Sequence, residues 1–123
     1  MGSRFPADTN AGIARYLADA GVEVLESTSR EISLADARQL SLENGMLLPL
    51  QVGREALEHR PDAEALLLPG GATLSLHAIP ALEAEYAKPT LTNLSAEVWS
   101  ALIRPGLIPP VEGWGKLLSQ APD

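Results

Sequence analysis

The sequence has 123 residues, a length that suits one compact domain burying about two-thirds of the surface exposed by its unfolded chain. Sixteen acidic against nine basic residues give a net charge of −7, which opposes binding to nucleic acid, and no apolar run reaches the roughly 20 residues that a membrane helix needs. The absence of cysteine and the presence of two separated histidines exclude disulfides, zinc-thiolate sites and thiol nucleophiles, so we expect no metal and no cofactor.

The amino terminus shows no targeting pattern, and the first predicted element after it is a helix. Met1 to Arg4 lack both a basic segment with an apolar run and an Arg-rich amphipathic pattern, which favours a cytoplasmic location. Asp8 is a plausible N-cap, and Ile13 and Leu17 lie at helical spacing. Gly21 then stands where a helix ends in a left-handed residue.

The next segment predicts a strand and two helices. Val22–Leu25 is short and rich in branched residues, which is typical of a β-strand. Ser33 begins a capping box, and Asn44-Gly45 is a C-cap signal, so a short helix is expected between them. Met46 to His59 predicts another helix with Pro49 near its first turn, where a missing N–H costs little.

The carboxy-terminal half predicts strand, helix, strand and helix in turn. Ala65–Leu68 is a continuous apolar run, as in a central parallel strand buried on both faces. A helix is expected over Leu76–Tyr86, and Thr90–Thr92 predicts a further short strand. Asn93 or Ser95 is expected to cap the last helix.

Alternating strands and helices predict the α/β class, with a parallel sheet and helices on both faces, in a single domain over residues 1–123. A doubly wound unit ordinarily opens on an apolar strand, yet only Met1 to Pro6 precede the first helix. We therefore expect the first strand to be missing. An opened sheet exposes backbone donors and apolar side chains, which favours a homodimer or a complementary half-domain.

Several short sequence motifs occur in the same order as in one protein family. They are Asp8-Thr9-Asn10, Asn44-Gly45 before Pro49, Leu66 to Gly71, Ile79 to Glu83, Pro89 to Asn93, and Gly113 to Leu118. Over nearly the whole chain they resemble the carboxy-terminal half of the aspartate/glutamate racemase superfamily, in its arylmalonate decarboxylase and maleate isomerase branch.

The resemblance implies two similar α/β halves facing each other across a pocket. Such enzymes are cofactor-independent decarboxylases, isomerases or racemases of small dicarboxylates that use cysteine thiols. The family's cysteine in this half aligns with Gly70, and Phe5 falls where some relatives carry a tyrosine. Because glycine is neither a base nor a nucleophile, we expect no catalytic residue and no activity from the chain alone.

The resemblance leaves a candidate binding site for a small dicarboxylate. Backbone N–H groups of a strand-to-helix turn can hold a carboxylate, with hydroxyl and amide side chains beside them. The candidate residues are Asn10, Gly70, Gly71, Ala72, Thr73 and Asn93.

Plainer interpretations remain open for these residues. Gly70-Gly71 forms an ordinary tight turn in many α/β proteins, Asn93 serves equally well as a helix cap, and Asn10 as a local hydrogen-bonding group. Glu83 and Glu85 are two apart on a helix and therefore predict a solvated face. The alternative function is a non-catalytic carboxylate-binding or assembly module.

Overall fold

The computed structural model describes residues 1–123 as a series of short strands alternating with helices. The strands are β1 (Gly2–Ser3), β2 (Thr28–Ser29), β3 (Leu66–Leu68) and β4 (Thr90–Thr92). The helices are α1 (Ala7–Asp19), α2 (Leu34–Arg38), α3 (Leu42–His59), α4 (Ala78–Tyr86), α5 (Asn93–Val98) and α6 (Lys116–Ser119). A 3-10 turn (Ser75–His77) leads into α4, and a π-helical turn (Trp99–Ile103) extends α5.

The strands form two parallel pairs that lie side by side. In one pair Gly2 is opposite Thr28, and in the other Leu66 is opposite Thr90. β1 packs beside β3, so the two pairs adjoin. The parallel strands and intervening helices confirm the α/β class. No helix combines the length and the apolar character needed to cross a membrane.

A two-residue strand precedes α1, so the expectation of a missing first strand is wrong. Gly2 and Ser3 are buried and pair with β2. A Cβ at Gly2 would lie 2.5 Å from Cγ1 of Val52 and 3.2 Å from Cδ2 of Leu68. Glycine thus lets this strand approach α3 and β3 closely, and it leaves no apolar pattern in the sequence to reveal the strand.

The strand predicted at Val22–Leu25 is also wrong, because pairing begins later. The N–H of Thr28 donates to the carbonyl of Met1 at 2.9 Å, and the amino group of Met1 donates to the carbonyl of Glu26 at 2.6 Å. The branched residues of 22–25 instead lie without strand pairing along an apolar groove next to Leu67.

Several helix boundaries differ from the sequence-based predictions. α1 follows Pro6 and has no side-chain cap, so Asp8 is not its N-cap. α3 starts at Leu42, where Oγ of Ser41 accepts from the N–H of Asn44 at 3.2 Å. Asn44-Gly45 therefore lies inside the first turn of α3, because the serine cap starts the helix before the expected C-cap signal.

The core lies between α3, α4 and β3. It is formed by Ala56, Leu57, Leu66, Leu68, Ala78 and Leu82. Gly53 of α3 makes room for this packing, since a Cβ there would lie 2.7 Å from Cδ1 of Leu82. Leu66 and Leu68 point into this core while Leu67 points to the opposite face of the strand pair. β3 ends at Leu68, directly before Pro69 and the glycine turn.

Candidate functional site

The ends of β1 and β3 meet at one edge of the strands. Phe5 follows β1, and Gly70 follows β3. A Cβ at Gly70 would lie 3.0 Å from Cζ of Phe5, so the ring lies directly against the turn. Since carboxyl ends of parallel strands are the usual place for ligand sites in α/β folds, this edge is the candidate site.

Gly70 has a backbone conformation that favours glycine, with φ at +101°. The next residue differs, because Gly71 has no atom within 4 Å of its Cβ position and no positive φ. The turn over Gly70 to Thr73 is therefore constrained at its first residue and open at its second. Gly71 leaves room for a ligand to approach the backbone.

Pro49 helps to hold this turn in place. Proline has no N–H, so the helix bond from residue 49 to the carbonyl of Gly45 is absent. The N–H of Leu74 donates to that carbonyl at 3.1 Å instead. The proline was expected in the first helical turn, but it lies deeper in α3, where it frees an acceptor that ties the end of the glycine turn to the helix.

Asn10 is buried at this edge, and both the oxygen and the nitrogen of its side-chain amide form hydrogen bonds within the chain. Its Oδ1 accepts from Oγ of Ser3 at 2.7 Å, and its Nδ2 donates to the carbonyl of Phe5 at 3.1 Å. Oγ of Ser3 also accepts from the N–H of Phe5 at 3.3 Å. Asn10 therefore fixes the backbone of Ser3 to Phe5, which positions the ring that faces Gly70.

Asn93 lies at the carboxyl end of β4, directly after Thr92. Leu68 and Thr92 are in register, so Asn93 and Pro69 leave neighbouring strands at the same edge. The side chain of Asn93 is exposed and makes no hydrogen bond within the chain. It is thus available to a ligand, whereas the amide of Asn10 is engaged.

The expected cap at Asn93 or Ser95 is wrong, since Thr92 is the N-cap of α5. Its hydroxyl accepts from the N–H of Ser95 at 3.1 Å, and Oγ of Ser95 accepts from the N–H of Thr92 at 2.9 Å. Both residues are nearly fully buried. This reciprocal pair satisfies two helix-end donors and leaves Asn93 outside the cap.

Arg4 also lies at this edge, although it is not among the site residues predicted from the sequence. Its guanidinium carbon lies 4.7 Å from the centroid of the Phe5 ring, and its Nη1 donates to the carbonyl of Ile32 at 3.0 Å. Its Nε is buried and has no partner. The available signal was a basic residue directly before the first helix of a strongly acidic chain.

Glu83 of α4 accepts hydrogen bonds from the starts of β4 and α6. The prediction that it lies on a solvated face is therefore wrong. Its Oε1 accepts from the N–H of Thr90 at 2.9 Å, and its Oε2 accepts from the N–H of Lys116 at 2.9 Å. Glu85 is exposed and pairs with Arg54 at 2.9 Å. Two acids on one helix therefore have different roles, because only Glu83 faces β4 and α6.

The groups with shifted pKa values lie away from this edge. Burial, together with a hydrogen bond to Glu58, raises the pKa of Tyr86 to about 12. The hydrogen bond between Arg60 and Asp62 raises the pKa of the guanidinium and lowers the pKa of the carboxyl. Burial lowers the pKa of the Met1 amino group.

Comparison with known proteins decides the family. The sequence model of the arylmalonate decarboxylase family matches residues 2–118. The chain belongs to the arylmalonate decarboxylase family. This match confirms the resemblance that the short sequence motifs indicated. The comparison with curated proteins found no match.

Solved structures related to this family have the same fold. Arylmalonate decarboxylase is similar with a TM-score of 0.80 and 24% identity, over 95% of this chain and 50% of that one. A glycine-to-cysteine mutant of arylmalonate decarboxylase in a sulfate-associated form gives 0.82 at 24% identity, over 97% and 50%. A maleate isomerase variant from Pseudomonas putida S16 with maleate gives 0.76 at 27% identity, over 95% and 45%. The chain spans about half the length of these relatives.

Proposed function

We propose that this chain is the carboxylate-binding half of a cofactor-independent enzyme that acts on small dicarboxylates, and that it is inactive alone. The observation that carries the proposal is the family match over residues 2–118 in a chain without cysteine. Proton transfer at carbon and attack on a double bond need a positioned base or nucleophile. A partner half supplies the thiol in this proposal.

The geometry of the edge supports binding of a carboxylate. Gly71 is exposed in the strand-to-helix turn that continues through Ala72 and Thr73, and Asn93 brings a free amide to the same edge. Backbone N–H groups in such a turn are suited to an anion. We propose these residues, together with Gly70, as the substrate-binding set. We propose that Asn10 contributes by holding Phe5 and Ser3 rather than by direct contact.

A second candidate function is a binding or assembly module that captures a carboxylate without transforming it. The contact between Phe5 and Gly70 favours it, because the aromatic ring lies where a side chain at position 70 would extend. In this case carboxylate binding needs no partner half. Binding by the isolated chain, with no gain in turnover on adding a cysteine-bearing α/β half, supports this candidate.

Turnover and binding assays on the full chain test the proposal. We expect no decarboxylation of phenylmalonate, no isomerisation of maleate and no racemisation of aspartate, with arylmalonate decarboxylase as the active control for the first reaction. Isothermal titration calorimetry with malonate and maleate should detect binding. Turnover by the chain alone would contradict inactivity, and a folded chain that binds no carboxylate would contradict the binding role.

We also propose that the chain associates with a second copy. An apolar groove lined by Leu17, Val24, Leu25, Leu67 and Leu91 supports association, because such grooves favour contact with another apolar surface. Size-exclusion chromatography with light scattering should give twice the 13.0 kDa of one chain. A stable monomer would contradict the homodimer and direct attention to a complementary half-domain.

A further inference from the structure

A small cavity lies beside the glycine turn, between the ends of β1 and β3 and one side of α3. Its volume is about 20 Å³, which is room for one water molecule or one ligand oxygen. Leu48, Val52 and Leu68 form apolar walls. Thr73 and Ser75 add hydroxyl groups, and the remaining lining residues include Arg4, the only charged residue among them. The lining thus combines apolar walls with one cationic side chain and several hydroxyl groups.

Arg4 lines this cavity and carries an unsatisfied donor. Its Nε is buried without a hydrogen-bond partner, while its Nη1 is held by the carbonyl of Ile32. No acidic side chain forms a salt bridge with Arg4, although the chain carries a net charge of −7. A buried donor on a charged group lowers the stability of the fold when it has no hydrogen-bond partner. An acceptor bound beside Nε would remove this penalty.

The hydroxyl groups at the cavity are of two kinds. Oγ of Ser3 is engaged, because it donates to Asn10 and accepts from the N–H of Phe5. The hydroxyls of Thr73 and Ser75 make no hydrogen bond within the chain, although Ser75 is buried. They line the same cavity as Arg4 and are free to donate to an acceptor there.

We propose that Arg4 binds a carboxylate of the ligand, with one carboxylate oxygen entering the cavity and accepting from Nε and from Thr73 or Ser75. This inference rests on the proposed carboxylate-binding function and names the residue that supplies the positive charge. Guanidinium–carboxylate hydrogen bonds are among the strongest available to a protein. Phe5 keeps the guanidinium in place, since it lies beneath Arg4 and against Gly70.

Calorimetry with malonate on matched variants tests this assignment. Arg4→Gln should weaken binding by about 10- to 100-fold, because it removes a charge-assisted contact. Arg30→Gln removes the same charge from an exposed arginine that pairs with Glu55, and it should leave affinity unchanged. Arg4→Lys keeps the charge but loses the Nε donor, so its affinity should lie between those of the wild type and Arg4→Gln. Circular dichroism checks that each variant is folded.

Arginine modification of the wild-type chain gives a second readout that needs no variant. Malonate should slow the reaction of Arg4 with phenylglyoxal, as measured by peptide mass spectrometry, and should leave the rate at Arg30 unchanged. Wild-type binding with an unaffected Arg4→Gln variant and no protection would overturn the assignment while the proposed function stands. Absence of malonate binding to the folded wild type would overturn both.

Discussion

Gly70→Cys should destabilise the chain by about 2 kcal/mol or more. The φ of +101° strains any residue with a Cβ, which costs about 1–3 kcal/mol. The new Cβ would also lie 3.0 Å from Cζ of Phe5, and such overpacking costs a further ~1–3 kcal/mol when the neighbour yields only partly. Urea unfolding followed by circular dichroism measures the change.

Two variants separate backbone strain from the clash. Gly71→Ala places a Cβ in open space without a positive φ, so it should change stability little. Phe5→Leu combined with Gly70→Cys removes the ring and should recover the part of the loss that comes from the clash. Equal stability of Gly70→Cys and wild type would show that the turn has another conformation in solution.

Glu83→Ala should cost about 2–4 kcal/mol of stability. The carboxylate accepts from the N–H groups of Thr90 and Lys116, and hydrogen bonds to charged groups contribute about 1.5–3 kcal/mol each before partial exposure reduces them. Its loss leaves the start of β4 and the start of α6 without acceptors. Thermal and urea unfolding measure the effect.

The neighbouring acid provides the matched control. Glu85 is exposed and pairs with Arg54, so Glu85→Ala should cost at most about 1 kcal/mol. Glu83→Gln keeps the side-chain volume and one acceptor, but it turns an amide NH₂ toward a backbone N–H, so it should still lose part of the stability. Equal losses for the alanine variants at 83 and 85 would refute the bridging role of Glu83.

The alternation of apolar runs and turn residues was sufficient to predict the class and the main carboxy-terminal elements. Leu66–Leu68 and Thr90–Thr92 are strands because their apolar and branched residues are buried, and burial of this kind is visible in the sequence. β1 was hidden, since Gly2 allows close approach to Val52 and Leu68 and neither Gly2 nor Ser3 is apolar. The branched residues of Val22–Leu25 predicted a strand, but pairing with β1 begins only at Thr28.

The geometry of the candidate site was predictable where it depends on local sequence and unpredictable where it depends on packing. The glycine turn follows directly from the end of an apolar run, so the position of Gly70 and Gly71 after a strand was predictable. The engagement of Asn10 with Ser3 and Phe5 depends on how α1 returns to β1. The role of Arg4 depends on a cavity formed with Ser75, which lies 71 positions away in the numbering.

We propose that the turn over Gly70 to Thr73 holds a carboxylate without a thiol beside it. Titration of ¹⁵N-labelled chain with malonate, followed by two-dimensional amide NMR, measures binding at these residues. Saturable shifts are expected, concentrated on the amides of Gly70, Gly71, Ala72 and Thr73. A folded chain in which these amides stay unchanged, or in which shifts are confined to the groove around Leu67 and Leu91, would contradict it.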